Sequence, residues 1–399
     1  MTAERAAFER DDPEFRRISV VMAVGGFAVY AVVFGPQGAL GAIGADLGLD
    51  ASAAALVVSA AAIGVAIGVL PWSMVADRLG RARAIRISVT LAAVAAVLAP
   101  FAPDLGTLLV LRGLAGLAVA ALPSVGAAYL VEQLHPRHAT VAVGTFIAGN
   151  TIGGIVGRVV AGPVGELIGW RWALAVLAAL IVLAAIVVVR LPRDRVAAVP
   201  MTPRGTAVEV LWHLRSARML AVYAQGFLVM GAFAAVYNVL GFRLVHEPFH
   251  VPAVAVSFVF LAYLGGSASS RVATGLAARV GRLRVMLVGV AVLEVGLALM
   301  LAEQLPVVLV GLVVFTVGCF GVHPIASALS GQLPTRGRAQ STALYQLGWL
   351  AGTAVLGWLG GAVAVAAGWT GLTILAAGLG ATAGLVAVLG LRGMPRLAD

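Results

Sequence analysis

Long apolar runs separated by short polar segments set the tightest limit on how this chain can fold. A helix needs about 20 apolar residues to cross the roughly 30 Å hydrocarbon core of a bilayer, and runs near that length recur along the whole sequence. They predict twelve membrane-spanning helices, helices 1 to 12 in chain order. The first six lie at about residues 18–43, 53–75, 84–101, 108–130, 141–164 and 172–189, and the second six at about residues 219–242, 254–276, 285–301, 307–329, 343–365 and 372–391.

The composition agrees with a membrane protein and argues against a soluble one. Of the 399 residues, 61% are hydrophobic and only 11% are charged, so too few polar side chains remain to coat a soluble globule. The predicted fold class is therefore an all-α polytopic membrane protein. The net charge of +10 does not indicate nucleic-acid binding, because the basic residues lie between apolar runs rather than on one basic face.

The distribution of arginine predicts how the chain is oriented. All 27 basic residues are arginines, and the cytoplasmic flanks of membrane helices retain positive charge. With the amino terminus inside, the outer loops hold only Arg171 and Arg243, while Arg112, Arg158 and Arg271 fall within helices and every other arginine lies on the inner, arginine-rich side. Both termini are therefore predicted to be cytoplasmic. The exclusive use of arginine, with abundant alanine and glycine, suggests a GC-rich genome and hence a bacterial inner membrane.

A short polar stretch recurs at half the chain length. Residues 73–83 read Ser-Met-Val-Ala-Asp-Arg-Leu-Gly-Arg-Ala-Arg, and 201 positions later residues 274–284 read Thr-Gly-Leu-Ala-Ala-Arg-Val-Gly-Arg-Leu-Arg. Pro123 and Pro324 are also 201 positions apart. The sequence thus predicts a duplicated unit of six helices. Its predicted parts are a cytoplasmic tail at residues 1–17, bundles at residues 18–191 and 218–392, a cytoplasmic linker at residues 192–217 and a second tail at residues 393–399.

The first copy of this stretch resembles the loop between helices 2 and 3 of the major facilitator superfamily, Gly-x-x-x-Asp-Arg-x-Gly-Arg-[Lys/Arg], with Ser73 at the first glycine position. The second copy has Ala278 at the position of the acid. The resemblance implies two pseudo-symmetric six-helix bundles with a substrate path between them near the midplane. It also implies a gate, formed by Asp77, Arg78, Gly80 and Arg81 in the first loop and by Arg279 and Arg282 in the second. Alternatively, the arginines only determine topology.

Helices 4 and 5 carry further motifs of the same family. Helix 4 ends on an acid, Glu132, similar to the family's acid-plus-arginine end, which implies pairing with Arg81 or Arg78 in a cytoplasmic gate. Within helix 4, Arg112 precedes small residues at four-residue spacing and resembles the family's intramembrane arginine. A buried charge needs protein or water partners, and Gln37 with the carbonyl groups beside Gly35 and Pro36 are candidates.

Residues 149–158 of helix 5 read Gly-Asn-Thr-Ile-Gly-Gly-Ile-Val-Gly-Arg. This run is similar to the glycine-rich signature of the antiporters, with Asn150 at a position where that signature has proline. Glycines thin one face of a helix, so helix 5 is expected to approach a neighbour closely. The form of the motif is also similar to bacterial drug and sugar exporters, which implies that the chain is a proton-driven efflux carrier.

Polar and aromatic residues on the helices expected to line the cavity are the candidates for substrate binding. They suit a small amphipathic or sugar-like organic molecule better than an inorganic ion, although any one of them could instead pack the core or anchor a helix at the interface. The candidates are Tyr30, Gln37, Arg112, Asn150, Tyr237, Asn238, Tyr345, Gln346 and Trp349.

His323 is the candidate for proton coupling. Helix 1 has no carboxylate, and an unperturbed imidazole titrates at a pH of roughly 6.5. The alternative is a neutral histidine that bonds to a carbonyl group freed by Pro324. Glu294, on helix 9, is expected to face helix 8 near Arg271 in a structural role.

The predicted function is secondary active transport, by proton-coupled efflux of a small organic compound through alternating access. No Gly-x-x-x-x-Gly-Lys-[Ser/Thr] phosphate-binding loop is present, so no nucleotide or other cofactor is predicted, and no metal site either. The expected partners are the substrate, protons and the lipid bilayer, with a monomeric state. An organic-anion carrier that uses Arg112 or Arg158 is the alternative. A membrane enzyme or receptor is more remote, because neither a catalytic motif nor a large soluble segment is present.

Overall fold

The computed structural model describes residues 8, 11–192, 194 and 203–392. Apart from turns, these residues are helical, with a single β-bridge between Phe8 and Leu134. The predicted tail at residues 393–399 lies outside the described residues, as do residues 1–7 and 9–10 of the other predicted tail and most of the linker before residue 203.

The described residues contain twelve long helices, which confirms the prediction. They are helix 1 (Pro13–Leu47), helix 2 (Ala51–Leu79), helix 3 (Arg81–Phe101), helix 4 (Leu105–Gln133), helix 5 (Pro136–Ile168), helix 6 (Trp170–Val188), helix 7 (Ala217–Val245), helix 8 (Ala253–Val280), helix 9 (Arg282–Leu299), helix 10 (Leu305–Gln332), and helices 11 and 12, which share the run Arg338–Leu391. Gly368, with φ of +67°, separates helix 11 from helix 12 within that run. A further helix, Pro203–Leu214, forms part of the connection between the two halves and is called the linker helix.

Ten stretches of the described chain are long and apolar enough to cross a membrane. This number is lower than twelve because helices 11 and 12 form one continuous stretch and helix 9 is omitted. Helix 9 has only 18 residues and includes Arg282, Arg284 and Glu294, so its composition is less apolar than that of the others.

The chain divides into two compact units. The first comprises Met1–Ile43 and Ala60–Pro203, and the second comprises Gly44–Ser59 and Arg204–Asp399. The second unit thus includes the end of helix 1 and the start of helix 2. There, the Ser59 hydroxyl donates a hydrogen bond of 2.9 Å to the carbonyl oxygen of Ala354 in helix 11.

The duplication is visible in how helices cross within each unit. In the first unit, a Cβ atom added to Gly153 of helix 5 would overlap the carbonyl oxygen of Phe27 in helix 1. In the second unit, a Cβ atom at Gly352 of helix 11 would overlap the carbonyl oxygen of Phe227 in helix 7. Both pairs of positions are about 200 residues apart, so the two units use the same close backbone contact.

The two arginines predicted on the outer side bind the ends of helices. The Arg171 guanidinium donates to the carbonyl oxygen of Ala102, just after helix 3, at 3.3 Å. Arg243 donates to the carbonyl oxygens of Met300 at 2.5 Å and Ala302 at 3.0 Å, just after helix 9. The carboxyl-terminal end of a helix carries partial negative charge. Each arginine therefore has a local partner, which explains why it lies on the side where arginines are otherwise rare.

Glu294 does not lie where the sequence suggested. Its carboxyl group occupies the space beside Gly380 of helix 12, and Arg271 of helix 8 is exposed. The expectation that Glu294 faces helix 8 near Arg271 is therefore wrong. The missing side chain of Gly380 leaves room for a carboxyl group on the helix 12 side.

Candidate functional site

Helix 1 is interrupted in its middle by a short 3₁₀ segment, Gly35–Ala39. Pro36 lies in this segment and has no backbone N–H, so the carbonyl oxygen of Val32, four residues earlier, loses its usual helical partner. The interruption therefore provides free backbone acceptors inside the membrane span.

Arg112 of helix 4 uses these acceptors. Its side chain is buried, with 3% of the residue surface exposed. Nη1 donates to the carbonyl oxygen of Val32 at 2.8 Å and Nη2 donates to that of Val33 at 2.6 Å. The predicted pairing with helix 1 carbonyl groups is thus present, but a few residues before Gly35 and Pro36, because Pro36 frees the acceptor one helical turn earlier.

Gln37 contacts the other buried arginine. Its Oε1 accepts a hydrogen bond of 2.7 Å from Nε of Arg158 in helix 5, whereas the sequence suggested it as a partner of Arg112. Nη1 of Arg158 donates to the carbonyl oxygen of Gly154 at 2.6 Å. The Arg158 guanidinium also lies 5.1 Å from the ring centre of Phe34, and the Phe34 ring is 5.7 Å from that of the half-buried Tyr30. Helix 1 therefore separates two buried guanidinium groups.

Asn150 lies in the contact between helices 5 and 1. Its Oδ1 occupies the space beside Gly26, where a Cβ atom would overlap it. This oxygen is buried and has no hydrogen-bond partner among the described residues. Asn150 therefore fills the space that Gly26 leaves in the contact between helices 1 and 5.

The predicted gate of the first unit contains the expected ion pair. Nη2 of Arg81 lies 2.6 Å from Oε1 of Glu132, so of the two arginines proposed as partners of Glu132 the structure has Arg81. Arg78 is exposed and Asp77 is half-buried at the end of helix 2. Gly80 has φ of +88° and connects helices 2 and 3, a backbone conformation that favours glycine.

Two contacts on the arginine-rich side were not predicted. Oδ1 of Asp194, after helix 6, accepts a hydrogen bond of 3.1 Å from the backbone N–H of Ala82 and so caps the start of helix 3. Phe8 is buried and bonds through its backbone with Gln133 and His135, at 2.9 and 3.0 Å. Neither contact has a local signal in the sequence, because the partners are far apart along the chain.

The second unit has a corresponding contact without an acid. Nη2 of Arg282 donates to Oε1 of Gln332 at 2.7 Å, and Arg279 is exposed. Gln332 lies 200 positions after Glu132, one position short of the 201-residue repeat, so the duplication was a signal for its neighbourhood but not for the exact residue. The ion pair of the first unit thus corresponds to a neutral hydrogen bond in the second.

His323, Tyr345 and Trp349 come together in the second unit. The Tyr345 hydroxyl oxygen lies 2.7 Å from Nδ1 of His323 and 2.9 Å from the carbonyl oxygen of the same residue. The hydroxyl has only one proton, so both contacts are satisfied when it donates to the carbonyl group and Nδ1–H donates to it. The Trp349 ring packs edge-on, 6.0 Å from the imidazole centre. In this arrangement the imidazole is neutral and its lone pair lies on Nε2.

The carbonyl group freed by Pro324 has a different partner from the one suggested by the sequence. Pro324 cannot bond to the carbonyl oxygen of Phe320, and the hydroxyl of Ser270 in helix 8 donates to that oxygen at 3.3 Å. The imidazole of His323 instead bonds to a side chain of helix 11.

Tyr237 belongs to a cluster of six aromatic rings on helices 7, 8 and 10. The neighbouring ring centres are 4.6 to 6.1 Å apart, and the Tyr237 hydroxyl lies 2.7 Å from that of Thr316. Asn238 is buried beside Gly357, and Gln346 is half-buried next to Tyr345. The rings are those of Phe233, Tyr237, Phe260, Tyr263, Phe315 and Phe320.

The two units offer different chemistry to a ligand. The first holds two guanidinium groups beside the interruption of helix 1. The second has aromatic rings, hydroxyl groups, amides and one imidazole. Such groups can stack on an amphipathic molecule and bond its polar substituents.

Comparison with protein families gives two matches to one model, described as Major Facilitator Superfamily, at residues 22–275 and 222–398. The chain is similar to the Escherichia coli (strain K12) Inner membrane transport protein YnfM, with 30% identity over 366 residues, which cover 91% of this chain and 88% of the relative. It is also similar to the Uncharacterized MFS-type transporter YybF of Bacillus subtilis (strain 168), with 28% identity over 355 residues, covering 88% and 87%.

Solved structures share the fold. A mutant of the nucleoside transporter NupG aligns with a TM-score of 0.78 and 13% identity over 94% of this chain and 100% of its own. A bacterial homologue of the human lysosomal transporter Spinster, in an inward-facing and unoccupied conformation, aligns with a TM-score of 0.74 and 15% identity over 96% and 95%. Identities this low support the fold alone.

Proposed function

Because the chain belongs to the major facilitator superfamily and is a multi-pass membrane transporter, we propose that it exports a small amphipathic or sugar-like organic compound in exchange for protons, by alternating access. The observation that carries this proposal is the ring and hydroxyl chemistry of the second unit. Two rings of the six-ring cluster, Phe315 and Phe320, lie on helix 10, which also carries His323, and His323 packs against Trp349 of helix 11. Uncharged aromatic and hydroxyl groups favour an amphipathic organic ligand over an inorganic ion.

The proposed direction of transport and the proposed location rest on features of the sequence. The glycine-rich run at residues 149–158 is similar to that of bacterial exporters, and the arginine distribution favours cytoplasmic termini. One bacterial relative is named as an inner membrane protein. We therefore place this chain in a bacterial inner membrane as a monomer that works in the efflux direction.

The gate is proposed to act mainly through the first unit. There, Asp77, Glu132 and Arg81 combine two acids with an arginine that holds one of them at 2.6 Å. The corresponding positions of the second unit have Ala278 and Gln332 beside Arg282. An ion pair can break and re-form with a larger free-energy change than a neutral hydrogen bond, so opening of the arginine-rich side is expected to depend on the first unit.

Protons provide enough energy for this cycle. One proton moving through 100 mV supplies about 2.3 kcal/mol, which corresponds to roughly a 50-fold substrate gradient. His323 is the proposed proton-binding residue, because it is a titratable group on a cavity helix and bonds to the candidate binding residue Tyr345 at 2.7 Å.

Replacing His323 by glutamine should abolish uphill transport driven by a pH gradient and leave downhill exchange intact. Glutamine can still bond to Tyr345 but does not bind a proton near neutral pH. The measurement is transport in proteoliposomes with an imposed pH gradient. The substrate would come from a ligand-stability screen across antibiotics, sugars and organic acids.

Tyr345→Phe is the matched control. It removes the hydroxyl group that holds Nδ1 but keeps the imidazole, so uphill transport should persist with an altered pH profile. If His323→Gln transports uphill with the normal pH dependence, His323 has no role in coupling.

An organic-anion carrier is the second candidate, favoured by the two buried arginines of the first unit. Arg112 and Arg158 are 3% and 5% exposed, and their side chains bond to carbonyl and amide oxygens of helices 1 and 5. The sequence has no acid between Glu14 and Asp46 in helix 1. A carboxylate or phosphate ligand could exchange for these oxygen partners.

If the substrate is an organic anion, anions should raise the melting temperature of the purified protein and Arg112→Gln should remove this effect. Glutamine keeps a donor for the Val32 carbonyl group but loses the positive charge. A thermal-shift series of organic acids beside neutral sugars measures it. Stabilisation by neutral compounds alone would contradict the anion carrier and favour the efflux proposal.

A further inference from the structure

The linker helix has few polar side chains, and two of them, Glu209 and His213, face the protein. Oε2 of Glu209 lies 2.9 Å from Nε of Arg336 in the loop before helix 11. His213, one turn later on the same side, is fully buried, and its Nε2 lies 2.9 Å from the carbonyl oxygen of Gly337. The polar residues of this helix are therefore used to attach it to the start of helix 11.

The opposite side of the helix is apolar and exposed. Residues three or four apart lie on the same side of a helix. The exposed positions 207, 208, 211, 212, 214 and 215 are related by these spacings. Their exposed fractions are 50% for Val208, 52% for Leu211, 39% for Trp212 and 44% for Leu214. Trp212 lies at the edge of this side, since the Arg336 guanidinium is 5.4 Å from its ring centre. Contiguous exposed apolar residues on a connecting segment are usually covered by lipid or by another protein.

We propose that this apolar side of the linker helix lies in the lipid–water interface of the inner leaflet and binds anionic phospholipids. Helix 7 begins at Ala217, three residues after the linker helix ends at Leu214. Since helix 7 enters the bilayer there, the linker helix is at the level of the headgroups. The inner leaflet follows from the cytoplasmic placement of the linker proposed above.

The charges around the apolar side fit an anionic lipid surface. Arg215 and Arg218 are exposed at the end of the linker helix and the start of helix 7. The acid of the helix, Glu209, points the other way and is paired with Arg336. A tryptophan among aliphatic residues with flanking arginines is typical of helices that lie in the interface.

Lipid binding at this helix acts on helix 11 through its polar side. Glu209 and His213 contact Arg336 and Gly337, and Gly337, with φ of +59°, directly precedes helix 11. Helix 11 carries Tyr345 and Trp349 of the candidate site. The anionic lipid content of the inner leaflet therefore influences the position of a helix that carries candidate substrate-binding residues.

The experiment places an environment-sensitive fluorophore on the exposed side. In a Cys319→Ala background, Ala207→Cys provides the attachment point without removing a large apolar residue. Thr335→Cys, in the exposed loop before helix 11, is the matched control. Each labelled protein is reconstituted in nanodiscs of phosphatidylcholine alone or with phosphatidylglycerol, and quenching by lipids brominated in their acyl chains is measured.

The label at position 207 should be quenched by brominated lipid, more strongly with phosphatidylglycerol, and the label at position 335 should not. Each arginine near an anionic surface contributes a factor of about five. Arg215→Gln and Arg218→Gln should each lower the docked-to-undocked ratio by about that factor in phosphatidylglycerol and have little effect in phosphatidylcholine.

Equal, weak quenching at positions 207 and 335 would overturn the proposal. A label at position 207 that is shielded from water but not quenched by lipid would also overturn it, because a protein surface would then cover this side of the helix. Labelling of Thr335→Cys by a membrane-impermeant thiol reagent in inverted and right-side-out vesicles tests the inner-leaflet placement separately. Labelling in right-side-out vesicles but not in inverted vesicles would overturn that placement and the proposed orientation.

Discussion

Replacing Gly153 by valine should strongly destabilise the first unit. A Cβ atom at this position overlaps the carbonyl oxygen of Phe27 in helix 1, and a backbone atom cannot move aside as a flexible side chain can. Overpacking of a core costs about 3 kcal/mol at its upper range, which corresponds to roughly 6 to 12 °C in melting temperature for a unit of about 200 residues. Thermal unfolding of the purified variant, followed by size-exclusion chromatography, measures this.

Gly144→Ala on the same helix is the control, because no atom lies within 4 Å of a Cβ atom there. Its melting temperature should not fall below that of the wild-type protein and can rise slightly, because alanine favours the helix more than glycine does. Gly352→Val should reproduce the loss in the second unit, since it overlaps Phe227 in the same way. An unchanged melting temperature for Gly153→Val would show that helices 1 and 5 do not pack as closely as described.

The fold could be predicted from the sequence because its determinants are local or periodic. The length of each apolar run determines how many helices cross the bilayer, and the repeat at 201 positions identifies the duplication. The glycine run of helix 5 also predicted a close helix contact, which the structure has with helix 1. The interruption of helix 1 follows from Gly35 and Pro36.

The choice of partners could not be predicted in the same way. Gln37 was suggested for Arg112, yet it bonds to Arg158, because which side of helix 1 each residue occupies depends on the exact twist of the 3₁₀ segment. Asp194 caps helix 3 from 112 positions away. Such contacts depend on tertiary packing and leave no pattern in the sequence.

The second copy of the gate shows what the sequence does reveal about partners. Once Glu132 is known to pair with Arg81, the repeat points to a partner of Arg282 near position 333, and the structure has Gln332, one residue earlier. The same comparison shows that the second copy has lost both acids, at positions 278 and 332. The duplication therefore carries information about side-chain contacts that neither copy carries alone.

This asymmetry leads to the prediction that Asp77→Asn strongly slows or abolishes transport while the protein still folds and inserts. Asp77 is half-buried at the end of helix 2, in the same loop as the ion pair between Arg81 and Glu132. Topology does not require an acid there, since orientation follows from the arginines. In the proposed cycle the Asp77 carboxylate accepts a hydrogen bond in one gate state. A hydrogen bond to a charged group contributes about 1.5–3 kcal/mol, so Asp77→Asn should slow the cycle by roughly 10- to 100-fold.

Ala278→Asn is the matched control for this prediction, because it places the same side chain at the equivalent, exposed position of the second copy. It should transport at the wild-type rate, since the second copy already works without an acid. Both variants are compared in proteoliposomes with the substrate identified by the ligand screen, and their size-exclusion profiles and melting temperatures check folding. If Asp77→Asn transports as fast as the wild-type protein, the acid has no part in gating, and the pair of Arg81 and Glu132 must then open and close without it.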